Sequence, residues 1–196
     1  MYKLNLEKGV KANIWLNENL VECRCNDSKI IMEEQTNLFA KSRKIILELF
    51  LPRAHSNYAL LGVDFLANGA GRSIIKWDID CLKQERYSDA IALSFDTVIW
   101  GILDEFQEGI VQSLDYHRKE YMLPSGTVTY IISAYGEIGS SADMFRRLND
   151  ILLSLLICGE LNESIIAKIV VEKWKLKSEV DKYDNLQLER FFSRGI

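Results

Sequence analysis

Four side chains with complementary polar chemistry fall close together near the middle of the second half of this chain: Tyr135, Glu137, Ser140 and Arg146. A phenol, a carboxylate, a hydroxyl and a guanidinium in one short stretch can hydrogen-bond and ion-pair with a polar partner. These four are the candidate binding residues. A second cluster, Asp104, Glu105 and Glu108, offers paired carboxylates for acid–base work or the solvated side of a helix. The neighbouring Phe106 and Ile110 mark a buried side and favour the solvated-helix reading. Asn68-Gly69-Ala70-Gly71-Arg72 could curl into a phosphate-binding nest. A turn that requires positive φ explains the same glycines with less.

The remaining reactive residue types carry less. His55 and His117 are expected in polar connections after helices, solvated or bonded to a carbonyl. No serine or cysteine stands in a G-x-S-x-G pattern. Cys23 and Cys25 share a strand face, but a structural zinc site takes about four ligands. With Cys81 and Cys158 they read as buried thiols rather than disulfides. Arg146 and Arg147 could meet an anion or RNA or simply keep their helix soluble, and the basic, aromatic stretch of Lys173, Trp174, Lys175 and Lys177 could pack on a partner helix or simply on the core. No catalytic residue, metal or cofactor is assigned.

The elements that must position these groups are legible in outline. Tyr2, Leu4 and Leu6, then Ala12, Ile14 and Leu16, alternate with polar residues. With Leu20 to Cys25 and Lys29 to Met32 they predict a β-meander over residues 1 to about 35. A helix is expected from about Asn37 to Leu51, striped by Leu38, Phe39, Ile45, Ile46 and Leu49. Tyr58 to Leu66 and Ser73 to Ile79 flank the glycine-rich turn and predict a hairpin. The longest helix is expected from about Ser88 to Leu114, with Ile91, Phe95, Val98, Ile102, Phe106 and Ile110 along one side. Gly126 to Ala134 reads as a strand with Val128, Tyr130 and Ile132 on one side. A glycine-flanked loop, Tyr135 to Gly139, then feeds a helix capped by Ser140, with Asp143 three residues on. Helical period returns from Glu163 to Arg190, with a break near Tyr183-Asp184-Asn185.

These elements imply an α+β fold: an antiparallel or mixed sheet with two long helices on one face, a β-βαβα module. An N-terminal β-meander and C-terminal helices are appended, giving segments 1–56, 57–158 and 159–196. The order hairpin, helix, strand, helix over residues 57–158, with Tyr135-Gly136-Glu137-Ile138-Gly139-Ser140-Ser141 and then Phe145, resembles domain IV of elongation factor G. In that family the loop runs Tyr-His-x-Val-Asp-Ser-Ser and is followed by a helix carrying Ala-Phe. Tyr135, Ile138 in place of Val, Ser140, Ser141 and Phe145 match in spacing, while the family's His and Asp are Gly136 and Gly139. The resemblance covers about half the chain. It implies a left-handed β-α-β crossover, and a protruding Tyr135–Ser141 loop that reaches the ribosomal decoding site.

Whole-chain properties narrow the function classes. The chain has 196 residues, 48% of them hydrophobic, enough to bury a substantial core. A net charge of −4 argues against tight non-specific nucleic-acid binding. No G-x-x-x-x-G-K-[ST] loop occurs, so GTP binding is not expected. No apolar run approaches the roughly 20 residues of a membrane span, and the first residues lack an apolar signal core. The expectation is a cytoplasmic, non-enzymatic binding protein without membrane association. Its expected partner is the ribosome or a structured RNA, met through Tyr135, Glu137, Ser140 and Arg146. The alternative is an acidic protein–protein inhibitor or immunity-type protein, motivated by the negative charge and the Asp104, Glu105 and Glu108 face. A small phosphate-binding enzyme using Gly69–Arg72 is the third.

Overall fold

Alternating and continuous apolar runs in this chain build one sheet. The computed structural model describes residues 1–20, 28–53, 55–79, 85–120 and 122–174. The strands are β1 (Tyr2–Asn5), β2 (Lys11–Leu16), β3 (Lys29–Gln35), β4 (Arg43–Phe50), β5 (Tyr58–Ala67), β6 (Arg72–Trp77), β7 (Val98–Trp100) and β8 (Gly126–Gly136). The helices are α1 (Asp104–Glu120), α2 (Ala142–Ile157) and α3 (Glu163–Trp174). The strands are ordered β1-β2-β4-β5-β8-β6-β3, and β7 also pairs with β8. β6 and β8 run parallel and every other pair is antiparallel, so the sheet is mixed. The fold is α+β.

Two expected elements fold differently, each for a physical reason. The expected helix over 37–51 is β4. Its residues Ile45, Ile46, Leu47, Leu49 and Phe50 are all buried, and a short, almost continuous apolar run fits a strand covered on both faces as well as it fits a helix. The expected long helix over 88–114 is interrupted: residues 98–100 form β7, and α1 begins only at Asp104. Gly101 between them has φ +105°, outside helical geometry. Phe95, expected on the buried stripe, is 67% exposed.

Long-range pairing also rearranges the strand order. β1 and β2 form the expected hairpin, but β2 continues to β4, while β3 lies at the far edge against β6. The meander therefore stops after two strands; its expected member over 20–25 falls mostly outside the described residues. β5 and β6 do not pair as a hairpin, because β8 inserts between them. Strands drawn from residues 1–56 and from 57–158 thus share one sheet.

A bulge in β8 decides which side chains face the helices. Gly62 of β5 pairs with Ile132 but Val63 pairs with Tyr130, leaving Ile131 as the extra residue. Val128 and Tyr130 consequently pack in the core beneath the helices, whereas Ile132 and Ala134 pack on the opposite face. The expected shared side for Val128, Tyr130 and Ile132 is broken at this point. Gly62 is required there: a Cβ would come within 2.5 Å of the Ile132 side chain and 2.9 Å of Ile46.

α1, α2 and α3 all contribute to the larger core, on the helix face. Phe106 of α1 stacks on Phe145 of α2 at 5.3 Å. The smaller core on the other face holds Trp15, Ile46, Tyr58, Leu60, Tyr87 and Trp100. Among the described residues no helix contributes to it; Tyr87 and its partly buried neighbours Ala90 to Ala92 come from the irregular chain before β7.

Candidate functional site

Strand β8 extends through Gly136, so Tyr135 is a strand residue rather than part of a protruding loop. Its ring is half-buried, edge-on to Phe106 at 5.7 Å. The turn that follows is clamped from three sides. The Asp96 carboxylate accepts hydrogen bonds from the Ile138 and Gly139 amides, each at 3.0 Å. The Gly139 carbonyl accepts from the amides of Asn57 and Tyr58, at 2.7 and 3.0 Å. The Glu137 amide donates to the Thr97 carbonyl at 3.0 Å.

Ser140 and Ser141 divide work expected of Ser140 alone. The helix cap is Ser141, whose hydroxyl accepts from the Met144 amide, while Ser140 precedes it. The Ser140 hydroxyl donates to the Tyr58 carbonyl at 2.7 Å and accepts from the Gly136 amide at 2.9 Å. It holds the turn against β5 and is itself half-buried. The clamp also accounts for the two glycines of this turn. A Cβ at Gly136 would meet Asp96 Oδ2 at 2.1 Å, and one at Gly139 would meet Asn57 Oδ1 at 2.1 Å.

What this end of the molecule leaves outside is narrow. Glu137 is exposed, Ile138 is 55% exposed, and Phe95, adjacent to the clamping Asp96, is also exposed. The Phe106–Tyr135 contact brings the first turns of α1 to the same end, with Asp104, Glu105 and Glu108 all exposed. The surface is apolar at its tip and acidic around it.

Arg146 does not supply a free cation there. It pairs with Asp143 at 2.7 Å and lies 3.6 Å from Asp150, while Arg147 pairs with Asp143 at 2.8 Å and sits over the Trp174 ring. Burial works to raise the Asp143 carboxyl, but the hydrogen bonds from both arginines outweigh it and hold its pKa below the ordinary value. Of the four nominated residues, then, Glu137 alone faces outward freely; Tyr135, Ser140 and Arg146 are engaged within the fold.

Other polar groups sit where the sequence did not place them. Glu48, within the β4 run, is fully buried on the second face of the sheet. It accepts from Asn13 Nδ2 at 2.8 Å, the Tyr58 hydroxyl at 3.0 Å and the Ile91 amide at 3.0 Å. Burial pushes its carboxyl above the usual range, and burial followed by the Glu48 charge pushes the Tyr58 phenol well up. A lone carboxylate in an apolar run was the available signal for this site. His117, expected in a solvated connection, lies inside α1 and is buried, with Nε2 3.5 Å from Asp150. Ser113 and Asn149 join that cluster, and the buried Tyr130 hydroxyl donates to Asn149 at 2.7 Å. The Ser113 hydroxyl donates to Asp150 rather than to the imidazole, and Asn149 donates to it in turn, as befits a packed polar link between α1 and α2.

The glycine-rich turn is likewise occupied. Its Ala70 amide donates to Asn68 Oδ1 and its Gly71 amide to Ser125 Oγ, and Arg72 pairs with Glu33. Those are the donors a phosphate nest would need, so the turn reading stands. Cys23, Cys25, Cys81 and the C-terminal stretch from Lys175 lie outside the described residues. Among the described residues no cluster of three or more His, Cys, Asp or Glu side chains could hold a metal ion. No helix there is long and apolar enough to cross a membrane. Comparison with protein families, curated proteins and solved structures finds no match to this chain.

Proposed function

We propose that this chain is a non-enzymatic, cytoplasmic binding protein whose acidic end covers a basic surface on a protein partner. The contact residues are Glu137, Ile138 and Phe95, flanked by Asp104, Glu105 and Glu108. The observation that carries this reading is the clamp formed by Asp96, Asn57 and Ser140. It presents Ile138 on the clamped turn and Phe95 beside the clamping Asp96, an arrangement whose ordering cost is met during folding, which spares affinity at binding. Carboxylates of one sign around an apolar centre favour encounter with a positive surface and disfavour phosphate backbones.

The resemblance to domain IV of elongation factor G supports a second reading, contact with the ribosome or a structured RNA. The exposed Phe95 ring favours it, since an aromatic face can stack on a base. Arg146, engaged by Asp143 and Asp150, weighs against it.

Affinity purification of the wild-type chain and of Glu137→Lys/Ile138→Asp, alongside ribosome co-sedimentation at moderate salt, separates the two. The expected outcome is one stoichiometric protein, free of RNA, retained by wild type and released by the double variant. Sedimentation with ribosomes that is lost on Glu137→Ala or Arg146→Ala would replace the protein-partner reading with the RNA one.

A further inference from the structure

A cleft on the second face of the sheet has no role in the binding just proposed. It is an open cleft of about 440 Å³ between the β1–β2 hairpin and the turn that carries Arg86 to Asp89, a size suited to a small ligand. Trp15, Tyr87 and Trp100 line it, each more than nine-tenths buried. Tyr87 and Trp100 stack on each other with ring centroids 4.3 Å apart, giving the wall a rigid aromatic surface. Burial of aromatic residues ordinarily brings a hydrogen bond to the phenol or indole. Here no hydrogen bond joins the Tyr87 hydroxyl or the Trp15 and Trp100 N–H groups to another described residue.

The mouth is charged. Lys3 and Arg86 line it, exposed and in no ion pair among the described residues, against the single carboxylate Asp89. Two cations at the rim, with the neutral donors of Trp15, Tyr87 and Trp100 inside, call for an acceptor-rich, negatively charged occupant. The aromatic lining calls for a planar ring.

We infer that this cleft binds a small planar aromatic anion, its ring against Tyr87, Trp100 and Trp15 and its anionic group on Arg86 and Lys3. A carboxylate and a phosphate meet the same two cations, so 4-hydroxybenzoate and AMP are the two probes, titrated calorimetrically into the full chain. Phenol and inorganic phosphate, which keep only the ring or only the charge, are the controls. At least one anionic aromatic binds with a Kd below about 1 mM and more tightly than its control. Arg86→Ala and Lys3→Ala each weaken it about tenfold, whereas Lys119→Ala, on the exposed side of α1, leaves it unchanged. Both arginine and lysine are exposed, so the variants keep the fold. Binding of neither probe would overturn the assignment. So would phenol binding as tightly as 4-hydroxybenzoate, or equal affinities in wild type and both cleft variants.

Discussion

The two faces of the sheet are built by different means. The helix face is closed by periodic elements: Phe145, Leu148, Ile151, Leu152 and Leu155 of α2 present one apolar stripe to it, all fully buried. The opposite face is closed partly by irregular chain, and its core surrounds a buried carboxylate, Glu48, beside an aromatic cleft. A regular element satisfies its own backbone and can bury a purely apolar side. An irregular segment must find partners for its amides, and here Glu48 takes the Ile91 amide and Asp96 the Ile138 and Gly139 amides. The carboxylates that hold irregular backbone therefore gather where regular structure gives out.

The largest effect expected from breaking this contrast falls on the helix face. Phe145→Ala opens a cavity against Phe106 and should cost about 3–5 kcal/mol, read as a lower urea midpoint. A comparable cost for truncating an exposed tip residue such as Phe95 would mean that the tip belongs to the core. Next in size is Gly136→Ala, which places a methyl group 2.1 Å from Asp96 Oδ2. It should cost about 1–3 kcal/mol and raise hydrogen exchange at the Ile138 and Gly139 amides, while α2 keeps its protection. Unchanged exchange at those two amides would show that the clamp does not hold the turn.

The smallest effect sharpens the comparison through pH. Because burial raises the Glu48 pKa in the folded state, the folded protein binds that proton more tightly than the unfolded chain. The stabilisation is complete below the unfolded glutamate pKa of about 4.3 and is lost as pH rises through the folded value. Each unit of displacement is worth about 1.4 kcal/mol. Denaturation across that window should show the wild type losing stability relative to Glu48→Gln, which keeps an acceptor but cannot ionise. Parallel curves for the two proteins would place the burial penalty elsewhere.

Legibility followed the same division. The 3.6-residue period of Met144 to Leu155 found α2 to within about two residues. Gly126 to Ala134 lies wholly inside β8, and Tyr58 to Leu66 covers nearly all of β5. The run from Ile45 to Leu51 misled, since Ile45, Ile46 and Leu49 satisfy a helical stripe while Leu47 and Phe50 satisfy a buried strand. Among candidate site residues, Glu137 was legible as a polar residue in a turn. Asp96 was not, because its partners Ile138 and Gly139 lie more than 40 positions away, and nothing local distinguishes its carboxylate from others nearby.

By itself the sequence determined the mixed α+β character, helix α2 and the glycine-flanked turn after a strand, because periodicity, capping and turn chemistry act within a few residues. Only the tertiary structure decided that β8 separates β5 from β6, that the extra residue Ile131 turns Ile132 away from the helices, and that Asp96 reaches the turn. Those choices depend on which distant surfaces bury the most apolar area while leaving no backbone amide unpaired, a competition among long-range contacts that no local pattern records.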